Sequence, residues 1–528
     1  SRTNGAIKAL LKLVPSEAVI IVNGEEKIIP IEEITAGDQL RIKPGEKIPV
    51  DGKLVQGSAS IDEAMITGEP VPVDKVAGDK VSAGTINTTT SFVMEAEKVG
   101  SETLLSQIIQ LVNDASRSRA PIQKLADRIS KYFVPIVVII SGLTFFAWVW
   151  FGPEPRYVYA FVNAIAVLII ACPCALGLAT PMSVMVGVGK GAQSGILIKN
   201  AEALEKMNKI DVLIIDKTGT ITEGKPSLEN VVAEAGFNAD ELLQQISSLN
   251  KQSEHPLAAA VVRYAQEKKT TISSVNDFKT VAGKGVTGTV DGKKIALGNK
   301  QLMEEIKTVI PENSANRVQA EQASGKTVSY ISVAGKIAGY VTITDKIKAT
   351  SKAAIQTLLD NNIEVIMLTG DNAGTAKAVA DELNLSSYKA EYLPADKLNE
   401  IKRLQAAGKI VAMAGDGIND APALAQADVG IGMGTGTDVA IESAAITLVK
   451  GDLNGIAKAE KLSKAVMKNI RQNLFFAFIY NVIGVPVAAG ILFPFFGILL
   501  SPMLAAAAMS VSSVSVIGNS LRLKNVKL

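Results

Sequence analysis

Three long uncharged apolar runs constrain this 528-residue chain more than any other feature. A bilayer core takes about 20 predominantly apolar residues per helix, and 132–151 supplies that length without a charge. After the break Gly152-Pro153-Glu154-Pro155-Arg156, a second run covers 157–189, long enough to cross even with a kink at Pro173. The third run, 472–521, breaks around Phe493-Pro494 and suits two further crossings. The expected membrane part is four helices in two hairpins. Basic residues sit at the ends of these runs: Arg117, Arg119, Lys124, Arg128 and Lys131, then Lys190, Lys464, Lys468 and Arg471, then Arg522, Lys524 and Lys527. The positive-inside rule puts all these ends in the cytoplasm. Both large polar segments, 1–131 and 190–471, then lie on that side, as an even number of crossings requires.

With 48% hydrophobic residues the chain is too apolar for an ordinary soluble protein and too charged for a bundle wholly in lipid. A net charge of +2, with no basic run interleaved with aromatics, argues against nucleic-acid binding. The two cysteines, Cys172 and Cys174, flank one proline inside an apolar run, a poor disulfide framework and a good place for soft ligands. Residues 1–14 read as the amphipathic end of a helix that begins outside the sequence.

The first polar segment holds short β-branched runs bounded by glycine and proline, such as 27–34 and 81–96, and predicts a small β-rich domain. The second alternates strands and helices. Its apolar runs 212–215, 365–368 and 410–413 each end in an acidic or threonine-bearing loop followed by a helical pattern, which predicts a doubly wound α/β domain with chemistry at the carboxyl ends of its strands. Residues 224–344 have a different rhythm and read as an insertion.

Immediately after the first of these strands stands Asp216-Lys217-Thr218-Gly219-Thr220-Ile221-Thr222. A carboxylate so placed can attack a γ-phosphoryl group if Mg²⁺ and a lysine neutralise the oxygens. The other parts follow in order: Thr369-Gly370-Asp371, then Pro394-Ala395-Asp396-Lys397, then Gly415-Asp416-Gly417-Ile418-Asn419-Asp420. Thr369 and Lys397 can hold phosphate oxygens, and Asp416 can join Asp216 as a Mg²⁺ ligand. Each loop alone reads equally as a polar turn, but all of them in this order do not.

On these loops the chain resembles the P-type ATPases over essentially its whole length. The resemblance implies a multidomain membrane protein: a β-rich actuator domain in 1–120, two transmembrane helices in 121–190, a haloacid-dehalogenase-like phosphorylation domain in 191–223 and 345–463, an inserted α+β nucleotide-binding domain in 224–344, and two more transmembrane helices in 464–528. It makes Asp216 the phosphorylated residue, with Lys217, Thr218, Thr369, Gly370, Asp371, Lys397, Asn419 and Asp420 around it and Mg²⁺ on Asp216, Thr218 and Asp416. It makes Thr67-Gly68-Glu69, otherwise a turn with one acid, the actuator loop whose Glu69 positions water on the phosphoenzyme. Ser253-Glu254-His255-Pro256 looks like the nucleotide-domain signature of the heavy-metal-transporting branch, in which the histidine orients the adenine of ATP. Gly283 and Gly285 sit in a glycine run that passes into a strand pattern rather than a helix, so a dinucleotide fingerprint fails. In the resembled family these glycines let backbone approach the nucleotide, with Asn299 close by. Asn250, where the family often has glutamate, and Lys346, where many members have proline, depart from the pattern.

Residues two apart lie about 200° apart on a regular helix, so Cys172 and Cys174 face one ion only if the turn opens, which Pro173 promotes. Thiolates so converged select soft Cu(I) or Zn over Na⁺, K⁺ or Ca²⁺. Met509 and Ser513, at i and i+4, share a helix face, and Tyr480-Asn481 offers two more donors. A Zn or Cd exporter is expected to carry an acid or lysine in these spans, and none is present. The set resembles the copper(I)-transporting subgroup, with Asp127 before the first span as an entry residue. The resulting expectation is a monomeric ATPase exporting Cu(I) through the cell membrane, with lipid and a copper chaperone as partners. The alternatives are a Zn/Cd transporter, a fragment that hydrolyses ATP without transport, and a soluble-type phosphohydrolase.

Overall fold

The structure, a computed structural model, describes residues 15–63, 72–117, 121–172, 174–253, 256–281, 283–385 and 387–528. They form two compact units: Ser1–Lys209, Ala445–Lys450 and Lys458–Leu528 in one, Ile210–Ala444 and Gly451–Ala457 in the other.

The first unit opens on antiparallel β structure. Its larger sheet runs, in spatial order, Glu25–Pro30, Glu17–Val22, Gln39–Ile42, Phe92–Lys98, Asp51–Gln56 and Lys80–Val81. A three-stranded sheet places Ser58–Asp62 between Val73–Val76 and Ile86–Asn87. The alternating apolar positions Leu40, Ile42, Leu54, Ile61, Phe92 and Met94 all point into one core. The β-branched run 81–96 contributes to three short strands, separated by the turn at Gly84 and the turn before Phe92. Asp51 accepts from the N–H groups of Ala83 at 2.7 Å and Leu104 at 2.6 Å, which ties the helix Leu104–Arg117 to the sheet.

Among the described residues, four helices are long and apolar enough to cross a membrane, spanning Ser130–Phe151, Arg156–Ala192, Asn454–Ala488 and Pro502–Asn525. The first begins as far back as Pro121 and the third at Asn454, well before the uncharged run, because charged turns continue a helix outside lipid without penalty. The second is two pieces, Arg156–Ile170 and Cys174–Ala192, interrupted at the cysteines. Small residues let backbones approach: a Cβ on Gly187 would sit 2.4 Å from Val466, and one on Gly484 would sit 2.8 Å from Ile170. Polar glue joins the same helices. Asn473 donates to Ser183 at 3.0 Å and Ser520 at 2.9 Å, and Ser183 donates to Asn469 at 2.8 Å.

In the second unit, near-continuous apolar runs give parallel strands in the order Val429–Met433, Val411–Gly415, Val212–Asp216, Glu364–Leu368 and Ser387–Lys389. Val212–Asp216 is central and fully buried. The chain therefore switches direction beside it, opening a crevice at the carboxyl ends. The strands Val429–Met433 and Ser387–Lys389 are additional to those expected from sequence; both are short, and the first is interrupted by two glycines. The insertion is a six-stranded antiparallel sheet that opens at Ser227–Ala233 and closes at Lys336–Thr344. Leu242, Ile246, Leu249 and Val261 cover one face; Leu302, Met303 and Val318 cover the other.

Candidate active site

Asp216 ends the central strand and its carboxylate is buried. Lys397, on the helix Pro394–Ala406, reaches it at 2.5 Å and also holds Asp420 at 2.8 Å. Oxygens of Asp216, Asp416 and Asp420 lie within 4.8 Å of one another. Burial and the Asp420 charge push Asp216 up to about 7, against the pull of Lys397. The same two causes push Asp416 up to about 6, against Lys348. Burial alone would weaken the Lys397 cation, but the carboxylates of Asp216 and Asp420 prevail and raise its pKa. Three acids crowded this closely fit a divalent cation, which would relieve their repulsion.

The rest of the predicted set is gathered at neighbouring strand ends. Thr369 is buried, and its hydroxyl oxygen accepts from the Asp371 N–H at 3.1 Å, so its own proton remains to donate. Lys217 is buried and pairs with Asp371. Thr218 and Gly370 are exposed in their loops, Thr218 at non-helical φ −74° and ψ 128°. Asn419 is exposed in the short turn Ile418–Asp420. Gly219 adopts φ +71°, and a Cβ there would fall 1.6 Å from Asp416 Oδ2, so the loop closes on the cluster only with glycine.

Sequence reasoning missed Lys348. Its Nζ donates to the carbonyls of Gly219 at 2.6 Å, Thr220 at 3.1 Å and Gly451 at 2.8 Å. Burial lowers its pKa, and Asp416 is the strongest of the charges opposing that. The only sequence signal of Lys348 is its place in the short return from the insertion, two residues after Lys346. Lys346 uses its carbonyl, which accepts from Glu223 N–H at 2.9 Å, a bond that proline could also accept. Beside it Thr222 donates to Asp345 at 2.5 Å.

In the insertion, Glu254 and His255 lie outside the described residues. Gly285 has φ +147°, and a Cβ there would meet Leu297 O at 2.2 Å. The glycine run enters the strand Gly285–Val290. Asn299 caps the helix Lys300–Glu305 by accepting from Leu302 N–H at 3.0 Å, and its amide donates to Gly283 O at 3.0 Å. Its amide nitrogen holds the Gly283 loop while its amide oxygen caps the helix, so Asn299 ties that loop to the helix start. Asn250 is buried and donates to Ile246 O at 2.7 Å, finishing its own helix.

The residues Thr67, Gly68 and Glu69 also lie outside the described residues, within the connection from Ser58–Asp62 to Val73–Val76. So do Pro173 and the side chains of Cys174 and Asp127. Cys172 stands in the helix break, its N–H donating to Ile169 O at 3.3 Å, and it is disulfide-bonded, against the expectation that the cysteines are a poor disulfide framework. Two clusters bracket that break: Ile170 and Ala171 pack with Val485 and Ala505, and Ala175 and Leu176 pack with Ala477 and Val516. Between those levels fall Asn481, buried and three residues before Gly484, and half-buried Met509 and Ser513. Tyr480 is 38% exposed.

Residues 210–428 match the haloacid dehalogenase-like hydrolase family, and residues 12–113 match the P-type ATPase actuator domain. The chain is 55% identical over 530 residues to a copper-exporting P-type ATPase of Legionella pneumophila, covering 100% of this chain and 72% of that one. It is 54% identical to a silver exporting P-type ATPase of Salmonella typhimurium, covering 100% of this chain and 64% of that one. A copper-transporting P-type ATPase of Rhizobium leguminosarum is 53% identical, with 100% and 63% covered. Among solved structures, a zinc-transporting PIB-type ATPase in an E2.Pi state aligns with TM-score 0.62 at 32% identity, over 99% of this chain and 85% of that one.

Proposed function

The chain belongs to the copper- and silver-transporting P-type ATPases, and on that premise we propose that it phosphorylates Asp216 from ATP to drive Cu(I) out of the cytoplasm through the cell membrane. An Asp216 carboxylate oxygen attacks the γ-phosphorus; the bond to the β,γ-bridging oxygen breaks, and ADP leaves with its electron pair. The Lys397 ammonium and the Thr369 hydroxyl hold oxygens of the group in transit. Lys217, braced by Asp371, adds a cation at the mouth of the loop. Mg²⁺ held by Asp216, Asp416 and the Thr218 loop, with Asp420 beside them, supplies further positive charge when bound. The Glu69 carboxylate takes a proton from water as that water attacks phosphorus, and the Asp216–phosphorus bond breaks to return the carboxylate and release phosphate. His255 and Glu254 hold the adenine, and the loop at Gly283 and Gly285, shaped by Asn299, lets backbone come close to the nucleotide.

The ion sits on Cys172 and Cys174, with Asn481, Met509, Ser513 and Tyr480 around it and Asp127 at the entry; a copper chaperone delivers it. The observation that carries this reading is the buried Asp216–Lys397 contact beside Asp416 and Asp420, in a chain whose second membrane helix breaks at Cys172. Asp216→Asn should abolish the acid-stable phosphoenzyme formed from labelled ATP, since an amide does not attack phosphorus. Labelling that persisted would remove Asp216 from the mechanism. Fold similarity to the zinc-transporting structure favours Zn²⁺ as a second reading. The uncharged spans oppose it, and stimulation of the ATPase and vesicle uptake by Cu(I) rather than Zn²⁺ decides.

A further inference from the structure

Among the described residues of the membrane helices, two buried side chains, Asn163 and Thr180, have polar atoms with no hydrogen-bond partner. They stand on opposite sides of the cysteine break. Asn163 is fully buried, and both its amide oxygen and its amide nitrogen are unpartnered. Such an amide costs about 1–3 kcal/mol inside a protein, and lipid offers no water to relieve it. The hydroxyl beside it is already committed: Ser141 donates to Ala164 O at 2.9 Å.

Asn163, Val167 and Ile170 are spaced i, i+4 and i+7 and so share one helix face. Val167 and Ile170 pack against Val485, Ala488 and Ala505, so this face looks into the bundle. At about 1.5 Å per residue, Asn163 lies roughly 13 Å from Cys172 toward the 152–155 end of the span. One turn further along, Tyr159 stacks 5.8 Å from Trp148, which meets Phe493 edge-on at 5.1 Å. Asn163 is thus a buried, unpartnered polar position between the cysteine break and an aromatic cluster.

We propose that Asn163 is a release station for the transported ion: its amide oxygen takes the soft monovalent cation, and its NH₂ holds accompanying water, after the ion leaves the thiolates. An amide oxygen is a hard, weak ligand for such a cation, and a station that lets ions leave must bind weakly. This rests on the proposed metal transport.

The test uses Ag(I), a soft monovalent ion that does not oxidise in air, on the intact protein in vesicles. In Asn163→Leu, the Ag(I) concentration that half-activates phosphorylation by ATP should stay at its wild-type value, because the cysteines are untouched. The Ag(I) concentration that suppresses phosphorylation by inorganic phosphate should rise about three- to tenfold, the worth of one weak contact. Ag(I) uptake should slow. The melting temperature should hold or rise, because an unsatisfied polar group has been removed. Asn163→Asp, which keeps an oxygen, should restore the suppression. An Asn163→Leu protein with wild-type suppression and uptake would overturn the proposal, as would one that melts lower and loses both phosphorylation reactions together. Failure of the transport reading is separate: the unaltered protein would then show no Ag(I)-dependent phosphoenzyme and no uptake.

Discussion

A methyl group at Gly219 has nowhere to go. It would lie 1.6 Å from Asp416 Oδ2 at a backbone φ of +71°, so either the loop or the carboxylate must move. A displacement near 1 Å typically costs about a hundredfold in rate. Gly219→Ala should therefore slow phosphoenzyme formation from ATP by about that factor, read by rapid-quench labelling, while circular dichroism stays unchanged. The raised acids make a second expectation. Burial and the Asp420 charge push Asp216 up to about 7 and Asp416 up to about 6, so the cation-free site holds protons that Mg²⁺ must displace. Apparent Mg²⁺ affinity should fall as pH drops through that window, and Mg²⁺ addition near neutrality should release protons measurable with an indicator dye. Asp216, Thr369, Asp416 and Asp420 were legible together because each follows an apolar strand, and strand ends of a doubly wound sheet converge; Lys397, inside the helix Pro394–Ala406, was legible only from the order of its loop among the others. The Lys217–Asp371 pair and the Lys348 grip were not, since they join residues more than a hundred positions apart and leave no periodicity behind.

Elements that cross lipid were legible from composition alone, because about 20 uncharged apolar residues have few other uses. Their ends were not, because a helix runs on through charged turns once outside the hydrocarbon. Asn454–Ala488 has 35 residues, about 52 Å at 1.5 Å each, far more than the roughly 20 residues one crossing takes. Its first turn is tied at its own base: Asp452 accepts from Thr350 at 2.8 Å and from Asn454 N–H at 2.9 Å. Lys348 holds Gly451 just before it and, with the same ammonium, the Gly219 and Thr220 carbonyls of the phosphorylation loop. Lys348→Met keeps the length but strands three carbonyls, a loss on the order of 2 kcal/mol for each that water does not reach. Phosphorylation from ATP and from inorganic phosphate should both slow, with Lys348→Arg recovering most of the rate because a guanidinium can donate to several carbonyls. Wild-type rates in Lys348→Met would show that the grip does not position the loop.

For the whole molecule, the proposed function demands that chemistry at Asp216 and an ion at the cysteines alternate in one cycle. Asn454–Ala488, continuous from the residue after Asp452 and Leu453 to beyond Asn481, is one element that belongs to both tasks. A linkage of that kind is reciprocal at equilibrium: if the bound ion shifts the phosphorylation equilibrium, phosphorylation shifts ion affinity by the same factor. Replacing Cys172 and Cys174 by serine tests the gate, since hydroxyls keep the volume but lose the soft ligand. Metal-dependent phosphorylation by ATP should disappear, while labelling by inorganic phosphate, which needs no bound ion, should remain and shows that the protein is still folded. Met509→Leu divides the ions, because it keeps apolar packing and removes only a thioether. It should raise the Cu(I) requirement much more than any Zn²⁺ response, measured under reducing conditions on the same preparation. If Zn²⁺ activates better than Cu(I) and Met509→Leu changes neither, the ion assignment is wrong, and the phosphorylation chemistry at Asp216 stands without it.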